Sequence, residues 1–216
     1  MEYKAFIFDL DGVIVSTDEY HFIAWKEIAS REGIPFDRET NNSLRGISRM
    51  ASLDIILNKA DKTYSEEKKQ ELALNKNAIY QLLLQNLGPE DLLPGVMEVL
   101  KHLRLAGYLL AVGSSSRNTK MILARLGLND YFEAVADGTE IKCSKPDPEV
   151  FLKAAEKLGI EPEKCVVIED ATAGIEAAKR GGMLAIAIND ATKSPLADIR
   201  INSMAEIIDL FPAINR

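Results

Sequence analysis

Asp9-Leu10-Asp11-Gly12, Ser114-Ser115-Ser116, Lys145-Pro146 and Glu169-Asp170 are the segments in which residue type and spacing could do chemistry. With 14 Asp in 216 residues, about one Asp-x-Asp triplet is expected by chance, so position rather than pattern gives this one its weight. It follows the apolar run Ala5-Phe8, and residues i and i+2 at a strand end point the same way, into one crevice. Two such carboxylates beside Glu169-Asp170 repel unless a cation intervenes. Oxygen-only ligands around phosphate suit a hard divalent ion, Mg²⁺ best. Ser114, Ser115 and Ser116 precede a predicted helix, Thr119 to Leu126, and their N–H groups and hydroxyls would face an anion at its positive end; plain N-capping by one serine satisfies the same pattern. Lys145 is the counter-charge to the acids.

The elements that must position these residues follow from hydrophobic periodicity. Ala5-Phe8 reads as a buried strand. From about Ser16 to Leu93 the spacing turns helical, with Phe22, Trp25 and Ile28, then Leu53, Ile56 and Leu57, then Leu72, Ile79, Leu82 and Leu83. Thr63 with Glu66 predicts a capping box opening the last of these helices, which Gly88-Pro89 ends. After Pro94-Gly95 strand-like runs alternate with helical ones: strands at Leu109 to Gly113, Ala134 to Ala136, Val166 to Ile168 and Leu184 to Ile188, with helices closed by Gly127, Gly159 and Gly181-Gly182. The expected fold class is α/β, a doubly wound Rossmann-like parallel sheet core (residues 1–15 and 94–216) with an inserted all-helical cap domain (16–93). In such a sheet ligands sit outside the carboxyl ends of the strands, where the four segments fall.

The order of these segments around a helical insert resembles the four signature motifs of the haloacid dehalogenase superfamily of phosphotransferases. Glu19-Tyr20-His21-Phe22 with Trp25-Lys26, Leu44-Arg45-Gly46-Ile47-Ser48-Arg49, Ser114 to Asn118 and Lys145-Pro146-Asp147-Pro148 resemble its β-phosphoglucomutase family, which interconverts β-glucose 1-phosphate and glucose 6-phosphate through a bisphosphate. The resemblance implies that Asp9 is the nucleophile that becomes an aspartyl phosphate and Asp11 the general acid/base. It implies Mg²⁺ held by the Asp9 side chain, the Asp11 backbone carbonyl and Asp170, with Glu169 close by, while Ser114 and Lys145 clamp the transferring phosphoryl group. The second phosphate would sit on Arg49, Ser116, Arg117 and Asn118, with Ser115 beside them. Gly46, Trp25, Ser52 and Lys76 match substrate-facing cap positions, and Thr17 and His21 match positions coupling cap closure to Asp11. Arg45 stands where lysine is more frequent, and Ile188 to Asn202 is short for the family.

Composition bounds the partners. The chain has 26 Lys+Arg against 33 Asp+Glu, a net charge of −7, and is 47% hydrophobic. A sizeable core is possible, and an acidic chain is poorly suited to nucleic acid, which demands clustered positive charge. No run approaches the roughly 18 apolar residues of a membrane span. The start lacks a leader-like pattern, so the expectation is a cytoplasmic monomer that binds a small sugar phosphate and bisphosphate. Cys143 and Cys165 fit neither a metal pattern nor a redox pair and are expected as free, buried or half-buried thiols. The competing readings are a Mg²⁺-dependent sugar-phosphate phosphatase with the same core and a non-catalytic phosphate-sugar sensor.

Overall fold

The computed structural model describes residues 2–212; residue 1 and residues 213–216 of the expected core segment lie outside them. Strand β1 (Ala5–Phe8) is buried along its whole length, as a central parallel strand covered on both faces must be. Phe6 and Phe8 share one side of the sheet with Leu110 and Val112 of β2 (Leu109–Gly113), Val166 and Ile168 of β4 (Cys165–Glu169) and Ile186 of β5 (Leu184–Ala187). That face is covered by Val99, Leu100 and Leu103 of α5 (Val96–Leu105) and Ile122 of α6 (Thr119–Arg125). The opposite face presents smaller residues, Ala5, Ile7, Ala111, Val167 and Ala185. Against them pack α7 (Glu149–Leu158), through Val150, Phe151 and Ala154, and α8 (Thr172–Arg180), through Ile175 and Ala178. Burying a phenylalanine such as Phe6 stabilises the fold by about 1.5–3 kcal/mol.

With β3 (Ala134–Ala136) and the two-residue edge strand β6 (Ile199–Arg200), the sheet order is β3-β2-β1-β4-β5-β6, every neighbour parallel. The chain winds outward from β1 to β2 and β3, then crosses back to β4. The reversal falls between β1 and β4, and there the connections part and leave a crevice.

Between β1 and α5 run four helices, α1 (Asp18–Arg31), α2 (Arg38–Asn42), α3 (Arg49–Leu57) and α4 (Glu66–Leu83). They bury their own apolar set, among it Trp25, Ile28, Leu53, Ile56 and Leu72. The chain enters and leaves this segment side by side: Val15 bridges Leu92, and the Leu93 N–H donates to the Ile14 carbonyl at 2.9 Å. Two adjacent linkers thus carry the whole helical unit.

Three local expectations are corrected. α4 is capped by Ser65, whose Oγ accepts from the Lys68 N–H at 3.3 Å, not by Thr63; Tyr64 and Lys62 are drawn to Glu32 at 3.2 and 2.8 Å, which keeps that stretch out of the helix. The helix ends at Leu83 in a 3₁₀ turn, Leu84–Asn86, ahead of Gly88-Pro89. Cys143 is exposed rather than half-buried, in a loop whose Lys142 and Cys143 N–H groups are held by the Glu149 carboxylate at 2.8 and 2.9 Å; Cys165 is buried.

Candidate active site

Asp9 follows β1 directly, its N–H donating to the Ile168 carbonyl of β4 at 3.0 Å, so the sheet ladder itself fixes where its carboxylate emerges. Lys145 Nζ donates to Asp9 Oδ1 and to Glu169 Oε1, both at 2.5 Å, and all three side chains are buried. The ammonium also lies 4.6 Å from the centre of the Phe151 ring. That ring fits because β2 ends in glycine: a Cβ on Gly113 would come within 2.7 Å of it. Burial alone would lower the Lys145 pKa, but the Asp9 and Glu169 charges outweigh it and hold the ammonium firmly protonated.

Carboxylate oxygens of Asp9, Glu169 and Asp170 lie within 4.8 Å of one another. Gly12 lets the first loop press against Asp170: its φ is +84°, and a Cβ there would fall 2.0 Å from Asp170 Oδ2. Burial, then the charges of Glu169 and Asp9, push Asp170 up to about 9. Three crowded acids with one ammonium among them form an oxygen-only donor set that fits a hard divalent cation.

Asp11 lies beside this cluster and is managed differently. Its Oδ1 accepts from the Thr17 N–H at 2.7 Å and its Oδ2 from the Thr17 hydroxyl. With that proton committed, the buried Tyr80 hydroxyl on α4 donates to Thr17 Oγ1, at 2.7 Å. Burial raises Asp11 to about 6 against the pull of these hydrogen bonds. His21 Nε2 is 3.8 Å from Asp11 Oδ2, and its Nδ1 is 2.7 Å from Lys76 Nζ. Burial, then the positive charges of Lys76 and Arg49, lowers the His21 pKa well below its ordinary value, so the ring is neutral at neutral pH. Lys76, itself lowered by burial and then by Arg49, packs against the Trp25 and Tyr80 rings at 4.9 and 4.4 Å.

A cleft of about 610 Å³ lies between the strand ends and the helical segment. Of the residues singled out from sequence, all but Thr17 line it: Asp9, Asp11, Lys145, Glu169 and Asp170 on its floor, Ser114 to Asn118 at one side, and His21, Trp25, Gly46, Arg49, Ser52 and Lys76 from the helices above. Thr17 sits behind Asp11. Ser114 Oγ accepts from the Ser116 N–H and Ser116 Oγ from the Asn118 N–H, each at 3.2 Å, whereas the buried Ser115 Oγ has no partner among the described residues. The Asn118 amide is taken up by α4, through Asn77 and Gln81 at 3.0 Å each. The arginines that form ion pairs among the described residues are Arg31, Arg38, Arg45, Arg104 and Arg180. Arg49 and Arg117 both line the cleft with no carboxylate partner among the described residues, and burial, then the Arg117 charge, lowers the Arg49 pKa.

Two residues here, Tyr80 and Asn41, carry no signal in the sequence. Tyr80 follows Ile79 in a stretch whose apolar spacing predicts a helix, and nothing in that spacing shows a hydroxyl reaching Thr17. Asn41, only 7% exposed, lines the cleft with no side-chain partner among the described residues; as one of two successive asparagines before a turn it reads as a helix end.

The chain belongs to the haloacid dehalogenase-like hydrolase family, whose model matches residues 3–182. Within that family it is 46% identical to a β-phosphoglucomutase of Bacillus subtilis (strain 168), over 94% of this chain and 91% of that protein. A crystal structure of a β-phosphoglucomutase from Clostridium difficile superimposes with a TM-score of 0.89 at 39% identity, covering 94% of this chain and 92% of that one. A fructose-1-phosphate phosphatase of Escherichia coli (strain K12) is 35% identical over 85% of this chain and 95% of its own.

Proposed function

We propose that the chain is a β-phosphoglucomutase, in which residues 16–93 act as a cap over a core formed by 1–15 and 94–216. The observation that carries this reading is a cleft with two separate sets of cations: Lys145 beside Asp9, and Arg49 of the helical segment with Arg117 of the core, neither arginine paired with a carboxylate among the described residues. A phosphatase of monophosphates has use for the first alone; a mutase must also hold the phosphate that is not being transferred. The kinship with two β-phosphoglucomutases supports the same choice over the phosphatase reading.

In this mechanism phosphorylated Asp9 meets β-glucose 1-phosphate. The sugar 6-hydroxyl attacks phosphorus, its proton passes to Asp11, and the bond from phosphorus to the Asp9 oxygen breaks, giving the 1,6-bisphosphate. The bisphosphate turns round so that its 1-phosphate faces Asp9. The Asp9 carboxylate then attacks that phosphorus while Asp11 returns the proton to the leaving 1-oxygen, releasing glucose 6-phosphate. A carboxyl near 6 can carry the proton in both directions. Lys145 and Ser114 counter the charge spreading over the transferring oxygens. His21, with its Nδ1 accepting from Lys76, presents an Nε2–H toward Asp11. The route from Asp11 through Thr17 to Tyr80 ties the acid to the cap, so a displaced cap would leave Asp11 without its partners. Closure also keeps water from the aspartyl phosphate.

Mg²⁺ would be held by Asp9, Asp170 and the Asp11 backbone carbonyl, with Glu169 adjacent. When bound it supplies neutralising charge to the carboxylates and the phosphoryl oxygens. Its link to protons gives a prediction independent of turnover. With Asp170 raised to about 9, the folded, cation-free protein binds a proton there that the unfolded chain has lost. This group therefore makes the fold less stable as pH rises from the ordinary aspartate value toward 9, and a cation that displaces the proton relieves that loss. The rise in Tm on adding Mg²⁺ is expected to be larger at about pH 8.5 than at about pH 6, and to lose most of this difference in Asp170→Asn. Equal stabilisation at both pH values would remove Asp170 from the cation site.

The function itself is tested by supplying β-glucose 1-phosphate, Mg²⁺ and a trace of bisphosphate, and measuring glucose 6-phosphate against free phosphate. Isomerisation is expected to dominate; stoichiometric phosphate release without it would establish the phosphatase. Arg49→Ala is expected to slow isomerisation about 10²-fold, the scale of a lost charged seat, while barely changing phosphate release from a monophosphate.

A further inference from the structure

Arg45 lies in the connection between α2 and α3, on the lining of the same cleft and four residues before Arg49. Its guanidinium is a fork. Nη1 donates to Asp190 Oδ2 of the core at 3.2 Å, and Nη2 donates to Asp18, in the first turn of α1 just past the linker that leads into the helices. A planar guanidinium carries its two terminal N–H groups on separate, rigidly held arms, and here each arm meets a different carboxylate.

The core side of this contact is the turn after β5. Three successive residues of it hold three different parts of the molecule. Asn189, at φ +54°, donates its side-chain N–H to the Gly12 carbonyl at 3.0 Å, within the loop that bears Asp9 and Asp11. Asp190 holds Arg45. The Ala191 N–H donates to the backbone carbonyl of Asp170 at 2.8 Å. The αL conformation is tolerated by asparagine far better than by most residues, and here it lets neighbouring side chains reach in two directions. Beside Arg45, Gly46 brings the helical segment onto the same region: a Cβ there would lie 3.4 Å from that of Ala171.

We propose that Arg45 and the turn 189–191 form a latch joining closure of the helical segment to the placement of the Asp9–Gly12 and Asp170 loops. Arg45 and Asp190 are thus positioning residues that favour phosphoryl transfer to sugar over transfer to water. The proposal rests on the mutase reading. The side chains of Arg45, Asp18 and Asp190 are 36%, 32% and 61% exposed, so the contact is a modest one that can open each cycle rather than a fixed strut.

The readout is the ratio of free phosphate to glucose 6-phosphate formed from β-glucose 1-phosphate with Mg²⁺ and a bisphosphate primer. It is measured for wild type, Arg45→Met, Asp190→Asn, the double variant and Arg45→Lys, with thermal unfolding as the check on folding. Both single variants are expected to raise the ratio about threefold, the scale of one part-exposed ion pair, at unchanged KM. The double variant should be no worse than Arg45→Met alone, because both substitutions break the Arg45–Asp190 contact, and Arg45→Lys should fall between wild type and Arg45→Met. Lys193→Met, which removes the other partner of Asp190 at 2.8 Å, should leave the ratio alone. An unchanged ratio in either single variant, a raised KM without added leak, or additive effects in the double variant would overturn the latch. Wild-type protein that released phosphate without isomerising would overturn the mutase reading, and the latch with it.

Discussion

Asp9→Asn is expected to lower isomerisation by at least about 10⁴-fold, the range reached when a nucleophile is removed from a working site. The variant should also fail to accumulate the phosphorylated protein that wild type forms with the bisphosphate, as read by intact mass. Asparagine has nearly the same shape, so substrate still fits and the loss lies in chemistry. Folding should not suffer. Asp9 stands within 4.8 Å of two other carboxylates, and removing one negative charge from that cluster relieves repulsion while Lys145 keeps its contact with Glu169 at 2.5 Å. The cation-free variant is therefore expected to unfold at the wild-type temperature or above it. Inactivity together with retained or higher Tm separates a chemical role for Asp9 from a structural one. Full turnover by this variant would revive the non-catalytic reading and would require another nucleophile.

Whether such a site is legible in a sequence depends on how local the signal is. The floor of the cleft was legible because apolar runs fix strands within a residue or so, and the polar residues at their ends have nowhere else to go. β2 and β3 have the bounds their periodicity predicts, and β4 extends one residue beyond it at each end. From parallel strands the rule of strand ends places Asp9, Ser114 and Glu169 together without any knowledge of the side-chain contacts. What was not legible depends on contacts between distant segments. Tyr80 reaches Thr17 across 63 positions and Arg45 reaches Asp190 across 145; a hydroxyl on the buried face of an amphipathic helix or an arginine before a helix carries no mark of such a partner. The capping error has the same origin, since Thr63-x-x-Glu66 satisfied a local pattern and a tertiary pull on Tyr64 and Lys62 overrode it. Edge strand β6, with only two residues, is too short for periodicity to register.

Lys145→Met should give the largest loss of stability of any single change at the site. Lys145 is 4% exposed, and Asp9 and Glu169, at 7% and 1%, both rely on its ammonium. Methionine fills most of the volume and keeps the contact with Phe151, so the effect isolates charge. Removing one partner of a buried ion pair typically costs about 3–5 kcal/mol, which for a chain of this size corresponds to roughly 10 °C in Tm. The sign of its pH dependence follows from Glu169, already raised above the ordinary glutamate value by burial even with the Lys145 charge opposing it. Without that charge the carboxyl rises further, so the folded variant holds a proton that the unfolded chain gives up. Its stability then falls as pH rises through the window between those two values, and the gap to wild type is expected to widen from about pH 5 to about pH 8. Mg²⁺ should recover part of it, because a divalent cation offers the same acids a second source of positive charge. Turnover should not recover, since the ammonium that steadies the transferring phosphoryl group is still missing. Thermal unfolding of the variant at both pH values, with and without Mg²⁺, checks each step. A small, pH-independent loss would mean that water already reaches Asp9 and Glu169, and that the floor of the cleft is held together by packing rather than by this charge.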